Sequence, residues 1–183
     1  MKILIFGASG SGTTTLANEV AKNNAFVHLD VDDYYWKPTD PPFQEKIPLV
    51  ERNKNLTIDF YEYENVIISG SMVSWGKKWE SAFDLAVFIR LENDTRMERL
   101  RKREQERYSN LLKTNKQIQV NSAAFLEWAN QYENPEFTGR SLKVHTDWMK
   151  LLDCPILKLD GKLELSLNYN AIINQIKHLK KVI

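Results

Sequence analysis

The chain has 183 residues, with 25 Lys or Arg against 24 Asp or Glu, and its formal net charge at pH 7 is +1. This length suits one domain, and 43% hydrophobic with 27% charged residues is typical of a globular protein rather than a disordered one. The near-neutral charge argues against nucleic acid or an anionic membrane as partner. The single cysteine excludes an internal disulfide framework and favours the reducing cytoplasm.

Short apolar runs, mostly β-branched and continuous, predict strands that are covered on both faces. The runs are residues 3–6, 26–29, 66–68, 85–91 and 155–159. Helical patterns alternate with them at residues 13–22, 95–108, 122–131 and 171–179. This alternation predicts an α/β fold with a parallel sheet and helices on both faces, built as one domain over residues 1–183. The first run ends at Gly7, too early for a signal peptide or a membrane span.

The first predicted strand leads directly into a glycine-rich loop and then a helix. Glycines there allow successive backbone N–H groups to face a phosphate, and the helix N-terminus adds partial positive charge. Against the pattern G-x-x-x-x-G-K-[ST], Gly7, Gly12 and Thr14 match, whereas Thr13 stands where the lysine is expected. The residues predicted to bind a nucleotide cofactor here are Gly7, Ser9, Gly10, Ser11, Gly12, Thr13, Thr14 and Thr15.

Two other interpretations of the loop stay open. It could be a glycine-rich turn without a ligand, or part of a dinucleotide fold. The dinucleotide pattern needs glycines at offsets 0, 2 and 5, but these lie at 0, 3 and 5. Asp30, at the end of the second predicted strand, is where that fold binds the ribose. Threonines at 13–15 suit a metal and phosphate better, and we favour a nucleoside triphosphate.

An acidic and aromatic segment, residues 30–36, follows the second predicted strand. If the segment is extended, Asp30 and Asp32 lie on one face and Asp33 on the other. Carboxylates at this edge of an open sheet can accept a proton from a substrate hydroxyl or hold Mg²⁺. The alternative is a solvated acidic turn, but three aspartates before three aromatics favour a binding role. The substrate-binding residues predicted in this segment are Asp30, Asp33, Tyr34 and Trp36.

These segments resemble the adenylate-kinase-like P-loop kinases of small molecules. Residues 7–14 resemble their phosphate loop except at Thr13. Residues 30–32, Asp-Val-Asp, are similar to the Asp-x-Asp of shikimate kinases. Residues 32–35, Asp-Asp-Tyr-Tyr, are similar to the Asp-Asp-Phe-Phe/Tyr segment of nicotinamide riboside and uridine kinases. Both comparisons imply that Asp32 faces the acceptor hydroxyl as a catalytic residue.

The resemblance further implies a P-loop NTPase sheet with strand order 2-3-1-4-5 and a phosphoryl-transfer site at its carboxyl edge. It implies ATP, or another nucleoside triphosphate, with Mg²⁺ held by Thr14 and Asp30. The turn after the third strand would line the acceptor site through Gly70 and Ser71, and Gly161 after the last strand would line the base.

Two further features leave a binding role and a structural role both open. Trp75 could join the aromatic residues at 34–36 in a pocket for a planar substrate, or it could pack in the core. Residues 96–107 carry six positive and three negative side chains. Charge runs of this kind are usually solvated helix faces, but the resembled kinases carry an arginine-bearing lid here. The arginines of this segment that are predicted to stabilise the transferring phosphoryl group are Arg99, Arg103 and Arg107.

The leading hypothesis is therefore ATP- and Mg²⁺-dependent phosphoryl transfer to a small-molecule acceptor, with a nucleoside or nucleotide favoured by the aromatic residues. Residues 34–62 are predicted to form a substrate-binding insertion and residues 95–150 an arginine-rich lid and cover. Thr13 motivates a second hypothesis, a nucleotide-binding regulatory protein without turnover. A dinucleotide-dependent reductase is the third. The oligomeric state is not predicted.

Overall fold

The computed structural model describes residues 1–182. The strands are β1 (Lys2–Gly7), β2 (Val27–Asp30), β3 (Val66–Ser69), β4 (Leu85–Arg90) and β5 (Ile156–Asp160). The helices are α1 (Thr13–Asn23), α2 (Val31–Tyr35), α3 (Leu49–Glu62), α4 (Asn93–Tyr108), α5 (Leu111–Thr114), α6 (Lys116–Asn130), α7 (Leu142–Met149) and α8 (Leu165–Val182). Short 3₁₀ turns lie at Lys77–Trp79 and Gln131–Glu133. Within the described residues, no helix is both long and apolar enough to cross a membrane.

The five strands form one parallel sheet in the order β2-β3-β1-β4-β5. This order confirms the predicted P-loop NTPase type of fold. It also argues against a dinucleotide fold, in which the second strand lies directly beside the first. Here β3 separates them, pairing with β1 on one side and with β2 on the other.

Helices cover both faces of the sheet, as predicted, because alternate residues of the buried strands point to opposite sides. In β1, Leu4 and Phe6 pack in a core with residues of α3 and α7. The neighbours Ile3 and Ile5 pack in a second core with residues of α1 and α8. All four side chains are fully buried. The sheet is thus a rigid central layer, and its carboxyl edge is free to carry loops.

The segment after β2 is helical, which corrects the prediction that it is extended. Asp30 caps α2, since its Oδ1 accepts a hydrogen bond of 3.0 Å from the backbone N–H of Asp32. An aspartate before a helix is a common N-cap, so the sequence carried this signal. Because a helix turns by about 100° per residue, neighbouring side chains of α2 point in clearly different directions.

The proline-rich stretch at residues 37–48 is a loop, as its composition predicts. Its two ends are held together by an antiparallel bridge between Trp36 and Lys46. The loop reaches the end of α4, where the Tyr108 hydroxyl donates to the Pro42 carbonyl at 3.0 Å. It therefore spans the gap between α2 and α4.

Candidate active site

The glycine-rich loop between β1 and α1 is packed directly against α4. Gly10 and Gly12 have φ angles of +83° and +97°, in the left-handed region that favours glycine. A Cβ atom on Gly10 would lie only 3.0 Å from Cγ of Leu100. A Cβ atom on Gly7 would lie 2.4 Å from the carbonyl oxygen of Ile89. The loop conformation therefore depends on these glycines.

One cavity, which we call the loop cavity, has a volume of about 420 Å³ and extends from this loop to the turn after β5. Residues 10–16 form one end, and Arg99 and Arg103 of α4 form a side wall. The far end is formed by Gly161, Leu163, Leu165 and Asn168. Loop amides at one end and largely apolar residues at the other suit a phosphate chain and a base, respectively.

The structure brings Thr14 and Asp30 together at the edge of this cavity. The Thr14 hydroxyl donates to Oδ2 of Asp30 at 2.9 Å. A hydroxyl oxygen beside a carboxylate is the kind of donor set that Mg²⁺ accepts. In residues 1–182 no group of three or more His, Cys, Asp or Glu side chains could hold a metal. An ion at Thr14 and Asp30 would therefore take its other ligands from phosphate oxygens and water.

A second cavity, the aromatic cavity, has a volume of about 800 Å³ and lies between α2, the proline-rich loop, α4 and α6. Its walls include the rings of Tyr35, Trp36, Phe43, Trp75, Phe125 and Trp128. Its polar side chains include Ser9, Asp32, Lys46, Ser71, Arg107 and Arg140. Arg103 lines both this cavity and the loop cavity, so the two meet at its side chain.

Asp32 lines the aromatic cavity, and its side chain is exposed to the space between the cavity walls. Desolvation by the surrounding protein raises its pKa above 3.8, and the nearby Asp30 raises it further. Arg140, Arg103 and Arg107 favour the ionised form and partly offset the effect. A carboxylate with a raised pKa is better suited to accept a proton than an ordinary aspartate.

The three predicted lid arginines are distributed between the cavities. Arg99 lines the loop cavity, Arg107 the aromatic cavity and Arg103 both. Arg107 forms an ion pair of 3.1 Å with the buried Glu104 and lies over the ring of Phe43. Arg103 has no ion pair within the described residues, and desolvation lowers its pKa. Its charge is therefore available to a ligand at the junction, and Arg99, which also has no ion pair within the described residues, offers a second charge in the loop cavity.

Arg140 is a cavity residue that the sequence indicated only as part of the predicted cover. Its Nη2 donates to the Ser9 hydroxyl at 2.9 Å, and its guanidinium lies 4.8 Å from the centre of the Trp128 ring. This contact joins the segment before α7 to the glycine-rich loop. Ser9 consequently lines the aromatic cavity rather than the loop cavity.

Arg96, which helical spacing places with the other arginines, is a structural residue. Its side chain is fully buried and forms an ion pair of 2.9 Å with Glu133. It also donates to the carbonyl oxygens of Ser9, at 3.2 Å, and Ala129, at 3.3 Å. Arg96 thereby ties the glycine-rich loop to α4 and to the end of α6.

Several predicted site residues lie away from both cavities. The Tyr34 hydroxyl donates to Asp59, and the ring packs against the core. Asp33, the next residue along α2, is exposed, points in a different direction from Asp32 and lines neither cavity. Gly70 lies behind α2, because a Cβ there would be 2.9 Å from Cβ of Val31. Gly7 allows the loop to pack against the backbone of Ile89, but it lines neither cavity. The helical form of α2 explains the first three placements.

The other predicted residues line cavities, except Asp30, which reaches the edge of the loop cavity through its hydrogen bond with Thr14. Ser71 and Trp36 line the aromatic cavity, and so does Trp75, which is also only 4% exposed and part of the core. Trp75 therefore packs in the core and also lines the cavity, and its role in substrate binding stays a prediction. The remaining loop residues and Gly161 line the loop cavity.

Comparisons with known proteins agree with this architecture. A family model described as "AAA domain" matches residues 3–121. The uncharacterized protein YqaC of Bacillus subtilis (strain 168) is 38% identical over 172 residues, covering 94% of this chain and 95% of that protein.

Two solved kinases share the fold over nearly the whole chain. Deoxyadenosine kinase from M. mycoides with bound dATP has a TM-score of 0.59 at 16% identity, covering 97% of this chain and 100% of that one. Shikimate kinase from Aquifex aeolicus has a TM-score of 0.54 at 18% identity, covering 97% of each chain. At such low identity these similarities concern the fold. The chain therefore belongs to the AAA domain family and has the fold of P-loop small-molecule kinases.

Proposed function

We propose that the protein transfers the terminal phosphate of ATP, or another nucleoside triphosphate, to a hydroxyl of a small molecule in the aromatic cavity. One observation carries the proposal: the loop cavity and the aromatic cavity meet at Arg103, and Asp32 lines the aromatic cavity. A phosphoryl donor and an acceptor need this kind of contact between sites, because the attacking and leaving oxygens lie in line in the transition state.

The nucleotide would occupy the loop cavity. Backbone N–H groups from Gly10 to Thr14 would hold the phosphates, and the turn at Gly161 would line the base. Thr14 and Asp30 would hold Mg²⁺, which when bound neutralises phosphate charge. Arg99 and Arg103 would provide positive charge that a lysine at position 13 otherwise supplies.

The acceptor would occupy the aromatic cavity. Its walls suit a planar ring, which favours a nucleoside or nucleotide. Asp32 would orient the acceptor hydroxyl and take its proton as the bond to phosphorus forms. Arg103 would stabilise the negative charge of the transferring group.

The proposal is tested by measuring ADP formation from MgATP with a panel of nucleosides, nucleoside monophosphates and hydroxy acids. Asp32→Asn should lower kcat by roughly a hundredfold or more, since proton transfer by a positioned group contributes about 10²–10⁴-fold. Asp33→Asn is the matched control and should retain activity, because Asp33 lines neither cavity. Equal activity of the Asp32 variant and the wild type on an active acceptor would contradict the assigned role.

A second candidate, a nucleotide-binding protein without turnover, is favoured by Thr13 alone. Thr13→Lys separates the two. A protein that has lost catalysis should gain phosphoryl transfer when the lysine is restored, whereas a kinase that relies on its arginines should gain little or lose activity. Phosphoryl transfer by the wild-type protein to any acceptor of the panel would reject the second candidate.

A further inference from the structure

A chain of three buried polar side chains ends at the aromatic cavity. His145 of α7 is fully buried, with Nε2 2.8 Å from the Ser71 hydroxyl and Nδ1 2.7 Å from the Tyr132 hydroxyl. The rings of Phe6 and Phe88 lie edge-on to the imidazole, with centroids at 5.5 Å and 6.0 Å. Ser71 lines the cavity, whereas His145 and Tyr132 lie behind it. The proposed phosphoryl transfer does not use this chain.

The direction of the two hydrogen bonds follows from whether each hydroxyl has another partner to which it could donate. In the described part of the chain, the Tyr132 hydroxyl has His145 as its one partner. A buried hydroxyl that failed to donate its hydrogen would cost about 1–3 kcal/mol, so the phenol donates to Nδ1. The ring is neutral, because burial, reinforced by the charge of Arg140, lowers the pKa of His145 to about 3. Its single proton is therefore on Nε2.

The proton on Nε2 fixes the role of Ser71. Nε2–H donates to the Ser71 oxygen, so the hydroxyl hydrogen of Ser71 is left to point elsewhere. Within residues 1–182 this hydroxyl has no second partner, and the cavity that Ser71 lines is the space open to it.

We infer that Ser71 is a specificity-determining residue that donates a hydrogen bond to the acceptor molecule, and that His145 and Tyr132 are positioning residues that fix its direction. The inference rests on the proposed function, because it requires the acceptor to occupy the aromatic cavity. Arg140, whose guanidinium can only donate hydrogen bonds, lines the same cavity. Together they select a molecule that presents a carbonyl, carboxylate or phosphate oxygen here. An amino group is disfavoured here, because it would leave the Ser71 hydrogen without an acceptor.

The direction of the hydrogen bonds can be measured without any substrate. Long-range ¹H–¹⁵N correlation spectra of the uniformly labelled full chain distinguish the two neutral forms of a histidine ring. His145 should be a single neutral form protonated at Nε2 at neutral pH. A ring protonated at Nδ1, or a doubly protonated ring, would overturn the inference.

A matched pair of variants tests the positioning role. Tyr132→Phe removes the donor to Nδ1, so His145 should lose its single protonation form and become a mixture. Tyr169→Phe removes a hydroxyl whose one hydrogen bond among the described residues comes from Nδ2 of Asn24, at 3.1 Å, and should leave the His145 signals unchanged. Identical His145 spectra in Tyr132→Phe and wild type would contradict the positioning role, even if both variants are folded.

The selective role is tested with the nucleoside, nucleoside monophosphate and hydroxy acid panel. Ser71→Ala should raise KM for an active acceptor by about five- to tenfold, the loss expected for one hydrogen bond, with kcat and the KM for MgATP nearly unchanged. An unchanged acceptor KM would overturn the selective role. A panel without any product would instead overturn the proposed function, and the His145 spectrum would still decide the direction of the hydrogen bonds.

Discussion

At the scale of single residues, the catalytic role proposed for Asp32 comes with a cost to folding. Its carboxyl has a raised pKa, so the ionised form is less stable in the folded protein than in the unfolded chain. Stability is therefore lost as the pH rises above 3.8, the ordinary value for an aspartate. Functional sites commonly hold groups with shifted pKa values. A carboxylate whose ionised form is destabilised takes up a proton more readily.

Asp32→Asn should accordingly stabilise the protein at neutral pH while it lowers activity. The gain in the free energy of unfolding should be absent below pH 3.8, where the wild-type carboxyl is protonated in both states, and should grow as the pH rises. Urea denaturation between pH 3 and pH 8 measures it. A variant that is less stable than the wild type at pH 7 would show that the surrounding arginines outweigh desolvation.

Residues of the site were predictable where the signal was local. The glycines and Thr14 match a pattern in consecutive residues, and Asp30 follows a recognisable strand. Arg140 was not assigned a role, because its contact with Ser9 joins positions 131 residues apart. Tyr34 was predicted to bind the substrate but lies away from both cavities. The prediction assumed an extended segment, whereas residues 31–35 form the helix α2, in which the side chains point in other directions.

At the scale of elements, α4 both supports the glycine-rich loop and supplies charge to the cavities. Its buried side includes Arg96, Met97 and Leu100, which contact the loop or the end of α6. Arg99 and Arg103 lie on the side that faces the cavities. Helical spacing aligns Arg96 with Arg99 and Arg103. It does not predict that Arg96 is buried with Glu133, which lies 37 residues further along.

Arg103→Ala should lower the rate of phosphoryl transfer by about a hundredfold or more, the usual cost of removing one group that stabilises transition-state charge. Arg101→Ala is the matched control on the same helix. Arg101 is exposed and lines neither cavity, and this variant should retain wild-type kinetics. Steady-state assays with MgATP and an active acceptor measure both. Equal losses of activity in the two variants would contradict a specific role of Arg103 and would indicate that the total positive charge of α4 matters instead.

The strands and the helices α1, α4, α6 and α8 were predicted to within a few residues at most boundaries, because continuous apolar runs and helical stripes are strong signals. Helices α2, α3, α5 and α7 were not predicted. Helix α2 has only five residues, too few for a periodic pattern. Helix α3 buries Leu56 and Phe60 but leaves Val50, Ile58 and Tyr61 exposed, which blurs its stripe.

At the scale of the whole molecule, both cavities lie at the carboxyl edge of the parallel sheet. The loop after β1, α2 after β2 and the turns after β3 and β5 all contribute residues to them. This placement is general for open α/β sheets and follows from strand order. The assignments of residues 34–62 as an insertion, 95–150 as a lid and 1–183 as one domain stay predictions. The first is supported by residues within 35–46 that line the aromatic cavity, and the second by Arg99, Arg103 and Arg140, which line one or both cavities.

We propose that the loop cavity holds a magnesium nucleotide although position 13 is a threonine. Titration calorimetry of the wild-type protein with ATP, in the presence and absence of Mg²⁺, measures this binding. We predict binding to one site that is much weaker without Mg²⁺, because Thr14 and Asp30 act on the nucleotide through the ion. The absence of ATP binding in the presence of Mg²⁺ would show that the loop cavity does not hold a magnesium nucleotide.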